Sequence, residues 1–472
     1  MKRKDIVNSS ESYDKNKSTL LNKYNIKIGD SVRIISTKGN YYGIVMPRYE
    51  SFNDKYLVIK LKSGYNIGLF EENILDIIIE EPSTTSIVSS SIDSSHFKYV
   101  NRYNTFKKSE ENKINGPDMP NSLPKILLLS TGGTIASKID YRTGGVTSIL
   151  GASELYEIFP EISNYASIYP EFILNEYSEN MSPYHWSILS ERVSYAILHE
   201  HFDGIVISHG TDTIHYTSSA LSFALQNLSI PVVLVGSQRS TDRPSSDAFT
   251  NLLGAIKFII KAKFAGVFVC MHHTPSDEII AIYLGTRVRK NHTSKRNAFQ
   301  SLDYIPFALV NDNDIVYTMD LKKLNLCNGA TKNFISKTSF DSRVFLLKFY
   351  PGFDPAFLEY FLHSEYKVII LEGTGLGHIN NNCFSYLEKL INAGIVIFMT
   401  SQCMYGRVQL TIYDTGRDLL NLGIVPLDDM SSETAIVKSM WALGNSSNIN
   451  DLIDMMKINI SNEISSISPL VF

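Results

Sequence analysis

Three short stretches hold residues suited to acyl chemistry. Lys125–Ala136 reads KILLLSTGGTIA. An apolar run delivers Ser130-Thr131, two glycines follow, and Thr134 closes the turn. Glycines after a strand let the chain turn tightly and let a ligand approach the backbone closely. Ligands of open α/β sheets sit just beyond such strand ends. A phosphate-cradling turn is the competing reading, although no G-x-G-x-x-G and no P-loop lysine accompanies it. Gly204–Thr213 reads GIVISHGTDT and places His209, Thr211, Asp212 and Thr213 at another strand end. A hydroxyl beside a carboxylate suits acyl transfer, and the carboxylate can hold an ammonium group or orient a proton carrier. Asp212 as the capping acid of the next helix is the plainer alternative, and the two roles can coexist. Gly285–Phe299 reads GTRVRKNHTSKRNAF, with Lys290 among Arg287, Arg289, Lys295 and Arg296. Like charges and partial burial favour a neutral lysine, hence a base. A solvated basic loop is the alternative.

Residue types that carry chemistry need a scaffold, and the chain changes character along its length. Residues 1–24 are polar, with six basic side chains (Lys2, Arg3, Lys4, Lys15, Lys17, Lys23) against three acidic ones (Asp5, Glu11, Asp14). They read as a solvated arm. Over 25–80, runs such as Ser31–Ile35, Tyr41–Met46, Tyr56–Leu61 and Tyr65–Leu69 are separated by Lys38-Gly39-Asn40 and Ser63-Gly64. Four or five short strands with tight turns predict a small β-barrel that binds or positions rather than catalyses. The serine-rich stretch 81–122 has too few apolar residues for a core and reads as a linker. From Lys125, buried strands (Ile126–Leu129, Gly204–Ile207, Val232–Val235, Gly266–Cys270) alternate with helical stretches, including one carrying Trp186, Leu189, Val193 and Ile197. That alternation predicts an α/β layer with a mostly parallel sheet over 123–325. Residues 311–342 are polar and join it to a second α/β unit, 343–460, with strands Val344–Phe349, Val368–Leu371 and Ile395–Met399. Asp354-Pro355 reads as an N-cap and first residue of a helix running to His363.

Composition narrows the classes. At 472 residues, with 44% hydrophobic and 19% charged, the chain can bury a large core. Lys+Arg number 44 against 48 Asp+Glu, so it is no polycation, and any nucleic-acid contact must be local or supplied by a partner. Cys270, Cys327, Cys383 and Cys403 form no C-x-x-C pair, which argues against a zinc knuckle or a disulfide framework and for reduced thiols in a cytoplasmic protein. The polar start has no signal-peptide core, and no apolar run approaches the roughly 20 residues of a bilayer span. His272-His273 lacks ligands at metal spacing and reads as structural, so no metal is expected. Gly373-Thr374-Gly375-Leu376-Gly377 reads as a tight turn rather than a nucleotide loop.

Taken together, TGGTIA, HGTDT and the G-x-x-V-x-K segment resemble the type I asparaginase/glutaminase superfamily over about 123–460. The resemblance implies a two-domain α/β fold and hydrolysis of a side-chain amide through an acyl-threonine. It implies Thr134 as nucleophile, with Tyr141 of DYRTGGV as its loop partner and Thr143 as the alternative. It implies Thr211, Asp212 and Lys290 as the second catalytic set. Ser178, Glu179 and Gly210 are implied to hold the amino-acid end of the substrate. Plain asparaginases usually carry Gln or Asp where this chain has Glu179. The superfamily builds its sites at a dimer interface, so a homodimer is expected.

A narrower resemblance covers Gly29–Leu69, the SENM stretch at Ser178, Gly236–Asp247 and Ser401–Gly423. These are similar to the GatD family of archaeal-type glutamyl-tRNA(Gln) amidotransferase subunits, whose N-terminal SH3-like barrel plain asparaginases lack. The resemblance implies a glutaminase that passes ammonia to a partner chain, GatE, within a heterotetramer. GatE uses ATP and Mg²⁺ to convert Glu-tRNA(Gln) to Gln-tRNA(Gln) and makes most of the tRNA contacts. No cofactor bound by this chain is implied. A stand-alone asparaginase or glutaminase and a non-catalytic binding module are the alternatives.

Overall fold

The computed structural model describes residues 21, 23–37, 39–46, 56–61, 66–79, 123–132, 137–139, 146–148, 160–239, 246–312, 314–320, 324–326 and 333–466. Most of the arm, the 81–122 linker, Thr134, Tyr141, Thr143 and Cys327 lie outside the described residues. The chain divides into two compact units, Met1–Asp118 with Ile139–Gly145, and Met119–Lys138 with Val146–Phe472.

In the first unit, strands Ser31–Ser36, Gly39–Val45, Tyr56–Leu61, Asn66–Phe70 and Ile74–Ile79 form one antiparallel sheet. The first strand lies between the second and the fifth. Alternate residues turn inward, so Val32, Ile34, Val45, Leu57, Ile59 and Leu69 make a small core. Gly43 permits the second and third strands to approach: a Cβ there would stand 2.3 Å from the Lys60 carbonyl oxygen. Ile74–Ile79 is the fifth strand of the expected four or five, joined to the fourth by the short 3-10 turn Glu71–Asn73.

The second unit is built on an eight-stranded sheet. Its order is Ile315–Tyr317, Ala308–Val310, Ile280–Leu284, Val267–His272, Val232–Val235, Gly204–Ser208, Lys125–Ser130, Ser167–Phe172. The last five are mutually parallel, and the first three run antiparallel. Continuous apolar strands are explained by burial on both faces. Ile126, Leu128 and Val206 pack with Leu252, Ile256 and Phe258 on one side. Leu127, Leu129 and Ile205 pack with Leu189, Val193 and Leu221 on the other. The helix after the HGTDT segment spans Ile214–Ala224 and gives way to a two-residue strand, Leu225–Gln226.

A second, wholly parallel sheet holds Val344–Lys348, Val368–Gly373, Val396–Ser401 and Val425–Pro426 in chain order. Asp354 caps the expected helix, accepting from the Ala356 amide, and Pro355–His363 has the 3-10 form. Gly373–Gly377 is a tight turn, closed by the Thr374 amide donating to the His378 carbonyl at 2.8 Å, with Gly375 and Gly377 at positive φ. The two sheets are joined by helices: Ser432–Asn445 packs on Ile214–Ala224, with the Phe223 and Trp441 rings 5.9 Å apart.

Candidate active site

Two neighbouring strand ends define the crevice. Ser130 and Ser208 are register partners in the central parallel sheet. Just beyond them the Thr131 hydroxyl donates to the Ser208 carbonyl at 2.9 Å, tying the ends together. Gly132 follows at φ 102°, a left-handed conformation that suits glycine. The strand leading toward Thr134 therefore ends beside the HGTDT turn. Thr134 itself and Tyr141 are not among the described residues.

The HGTDT turn is fixed from beneath. His209 is fully buried, with Nδ1 2.7 Å from the Gly210 carbonyl oxygen and Nε2 2.9 Å from the Thr217 hydroxyl. A carbonyl only accepts, so Nδ1 carries the hydrogen and Nε2 is bare. Thr217 then donates to Nε2 and receives the Trp186 indole N–H at 3.1 Å. Burial pushes the His209 pKa down to about 4, so this one-way chain of donors stays neutral near pH 7.

Lys290 brings the crevice its charge. It ends the strand Val288–Lys290, and its Nζ donates to the Thr211 hydroxyl at 2.8 Å and to the Asp212 carboxylate at 2.6 Å. The Lys290 side chain is 9% exposed and that of Asp212 67%, so the pair straddles the crevice mouth. Asp212 is thus not a helix-capping acid. The N-cap position of Ile214–Ala224 is Thr213, whose side chain makes no cap bond. The Thr213 hydroxyl donates instead to the Ser178 carbonyl. The basic cluster around Lys290 is also dispersed: Arg287 pairs with Asp429, Arg289 with Glu433 and Arg296 with Asp277. The group nearest the Lys290 ammonium is a carboxylate, not a second cation.

Ser178 is buried in the 3-10 turn Ser178–Asn180, with Glu179 exposed beside it. Gly210 faces Ser178 so closely that a Cβ would lie 2.7 Å from the Ser178 Cβ. The structure therefore gathers Thr211, Asp212 and Lys290 within hydrogen-bond reach, and sets Ser178 and Gly210 against them.

Three family models match consecutive parts of the chain: "GatD N-terminal domain" over residues 26–79, "Asparaginase, N-terminal" over 125–323, and "Glutaminase/Asparaginase C-terminal domain" over 343–456. The glutamyl-tRNA(Gln) amidotransferase GatD subunit of Sulfolobus acidocaldarius is 39% identical over 464 residues, 97% of this chain and 96% of that protein. That of Pyrococcus furiosus is 41% identical over 93% of this chain and 95% of its own length. This chain belongs to the GatD family. Among solved structures, the thermostable L-asparaginase from Thermococcus kodakarensis superposes with a TM-score of 0.65 at 34% identity, covering 72% of this chain and 99% of that one. L-asparaginase I from Vibrio cholerae, 24% identical with a TM-score of 0.64, shares the fold.

Around the site this GatD family member carries supports that spacing alone does not flag. Gly236 backs Thr211: a Cβ there would stand 2.8 Å from the Thr211 methyl and 2.9 Å from the His209 carbonyl oxygen. The turn that follows is held by Asp247, whose carboxylate accepts from the Gln238 and Arg239 amides and from Asn251. Asn251 also donates to the Gly236 carbonyl at 2.9 Å, and His272, fully buried, bridges Asn251 to Asp277. His272 is thereby structural, as read from the sequence. His215, on the first turn of Ile214–Ala224, is buried with Nδ1 unpartnered. Burial, then the nearby Arg289 and Lys290 charges, push its pKa down to about 3. Among the described residues no group of three or more His, Cys, Asp or Glu side chains could hold a metal ion. No helix of these residues is long and apolar enough to cross a membrane.

Proposed function

We propose that this chain is the glutamine-hydrolysing component of a tRNA-dependent amidotransferase. The observation that carries the reading is the full-length relationship to GatD proteins, N-terminal β domain included, where the superposed asparaginase accounts for 72% of the chain. The substrate's carboxylate and ammonium groups bind at Ser178, Glu179, Gly210 and Asp212. The Thr134 hydroxyl oxygen attacks the side-chain amide carbon, assisted by Tyr141. A tetrahedral adduct forms, its oxyanion held by backbone N–H donors, each worth about 3–4 kcal/mol in comparable sites. The C–N bond breaks, the nitrogen takes a proton, and ammonia leaves an acyl-threonine. Thr211, with Lys290 and Asp212, moves the proton and then directs water onto the ester, releasing glutamate and freeing Thr134.

The ammonia goes to GatE, which activates the glutamyl group of Glu-tRNA(Gln) with ATP and Mg²⁺. The two kinds of chain form a heterotetramer around a homodimer of the glutaminase, and the tRNA substrate places the reaction in the cytoplasm. This chain carries no cofactor of its own in the scheme. The test supplies amide-labelled glutamine, ATP and Glu-tRNA(Gln), with and without the co-purified partner. Label is expected in Gln-tRNA(Gln) only when both chains are present. Free hydrolysis at full rate without partner or tRNA, and no transfer, points instead to a stand-alone amidase. The 34% identity to an asparaginase supports that second reading. Removing residues 1–122 separates the two, because only the amidotransferase loses function with them.

A further inference from the structure

The segment that presents Lys290 is gripped from the opposite side. Side chains alternate along a strand. Val288 and Lys290 therefore turn toward the large sheet, where Val288 joins the core and Lys290 meets Thr211. Arg287 and Arg289 turn the other way, to the loop and first turn of the Ser432–Asn445 helix. Arg287, 2% exposed, bonds the Asp429 carboxylate and carbonyl, each at 3.0 Å, and the Asn462 carbonyl at 2.6 Å. Thr434 donates to the Thr286 carbonyl at 2.9 Å. Arg289 Nε lies 3.0 Å from the Glu433 carboxylate, and that carboxylate sits in the helix's first turn, where the helix dipole favours it.

We propose that Arg289 and Glu433 are positioning residues for Lys290. They are the side-chain anchor next to a long side chain whose tip must reach two hydrogen-bond partners at once. The strand is three residues long and ends at Lys290, so its backbone cannot hold the tip by length alone. A lysine stem carries about 2 kcal/mol of rotamer entropy, and an error near 1 Å at a reacting group can cost about 100-fold in rate. Arg289 is the residue adjacent to Lys290 in sequence, and its charge is committed to the second sheet's helix. The Lys290 backbone is paired with Phe299 in a short antiparallel hairpin, and the Arg289–Glu433 contact anchors that hairpin to one helix turn from the other half of the site's scaffold.

This inference rests on the reading of Lys290 as the amine that serves Thr211. Arg289 is 37% exposed and Glu433 15%, so the pair adds little stability, and its loss can be read in turnover without unfolding. The test uses the full-length chain and measures kcat, KM and thermal midpoint for hydrolysis of glutamine and asparagine. Arg289→Met and Glu433→Gln are each expected to lower kcat about 10- to 100-fold, with KM within about twofold and the midpoint within about 3 °C. The double variant is expected to be no worse than either single one, because both act through one contact. Arg289→Lys, which keeps a charge opposite Glu433, is expected to recover part of the loss. Wild-type kcat in either single variant overturns the inference, as does a loss that multiplies in the double or appears in KM alone. Lys290→Met separates this from the reading beneath it: if that variant turns over like wild type, the assignment of Lys290 itself fails, whatever Arg289 does.

Discussion

Lys290 Nζ lies 2.8 Å from the Thr211 hydroxyl oxygen although 79 positions separate the two in sequence. An ammonium has hydrogens to give and no lone pair, so Thr211 accepts this bond and its own hydrogen points elsewhere. The threonine is thus available as a donor on its open side while held by a charge on the other. That arrangement is what protonating a leaving amine requires.

Thr211→Val should expose the dependence directly. The branched shape is kept and the methyl still meets Gly236, but the hydroxyl is gone. Ammonia release from glutamine is expected to fall about 100- to 10,000-fold, the range for losing a proton-handling group. Guanidinium unfolding should move by no more than about 1–2 kcal/mol, from the Lys290 bond left unmade.

Asp212→Asn tests a different contribution. The Asp212 side chain is 67% exposed, so its ion pair with Lys290 adds little to stability. Its carboxylate is proposed to hold the substrate's ammonium group. KM for glutamine is expected to rise at least about tenfold, equivalent to roughly 1.4 kcal/mol. An amide substrate lacking the α-amino group should show a smaller difference between the two proteins. Equal losses on both substrates would move the role of Asp212 from binding to proton handling.

Gly236→Ala and Gly210→Ala place one methyl against each side of the HGTDT turn. At 236 the new carbon meets the Thr211 methyl and the His209 carbonyl, and at 210 it meets Ser178. Overpacking of this kind costs about 1–3 kcal/mol. The expected signatures differ: Gly236→Ala lowers kcat by displacing Thr211, and Gly210→Ala raises KM by pushing away the Ser178 turn. Steady-state kinetics on both variants checks the split.

Much of this is legible in the sequence because it is local. Strand ends followed by Thr, Asp and Gly announce themselves, and apolar runs such as Lys125–Ser130 and Val232–Val235 fit strands buried on both faces. The partners of charged groups are not legible. The sequence sets Lys290 among arginines, yet each described arginine nearby is neutralised by an acid elsewhere in the chain, Arg287 by Asp429 and Arg289 by Glu433. Sequence neighbours on a strand point to opposite faces, so proximity in the chain misleads about proximity in space. Asp212 looks like a cap for a similar reason, because its true partner is a residue from a later strand. The 3-10 form of Pro355–His363 has the sequence of an α-helix start, and the residues hold no signal for the tighter winding.

Two buried histidines should make stability fall on mild acidification. The folded-state pKa is depressed to about 4 for His209 and about 3 for His215, below the usual 6.5. Protonation therefore favours the unfolded chain first. Their contribution is fully present above about pH 6.5 and is lost as pH falls toward 4 and then 3, by roughly 3–5 kcal/mol for each at most. His215 is the cleaner test, since its Nδ1 has no partner to lose. His215→Leu is expected to flatten the stability change between pH 7 and pH 5, measured by urea unfolding at both. An unchanged slope would mean that other groups set the acid limit.

The segment 458–463, a strap tied to Lys438 and to Thr286, offers the sharpest stability test. Lys438 and Glu463 are both fully buried. Lys438 Nζ spends its hydrogens on the Met456 and Ile458 carbonyls and on Glu463, while Glu463 accepts the Ile460 and Ser461 amides. The Ser461 carbonyl in turn takes the Thr286 hydroxyl at 2.7 Å, on the segment leading to Lys290. Burial lowers the Lys438 pKa, and the Glu463 carboxylate opposes that shift. Lys438→Met strands a buried carboxylate and is expected to cost about 3–5 kcal/mol. Adding Glu463→Gln removes that charge, so the double variant should recover part of the loss rather than add to it. A double-mutant cycle by urea unfolding at pH 7 reads the coupling directly. Additive losses would show that the two groups stabilise the fold independently, and that the strap is held by its backbone contacts alone.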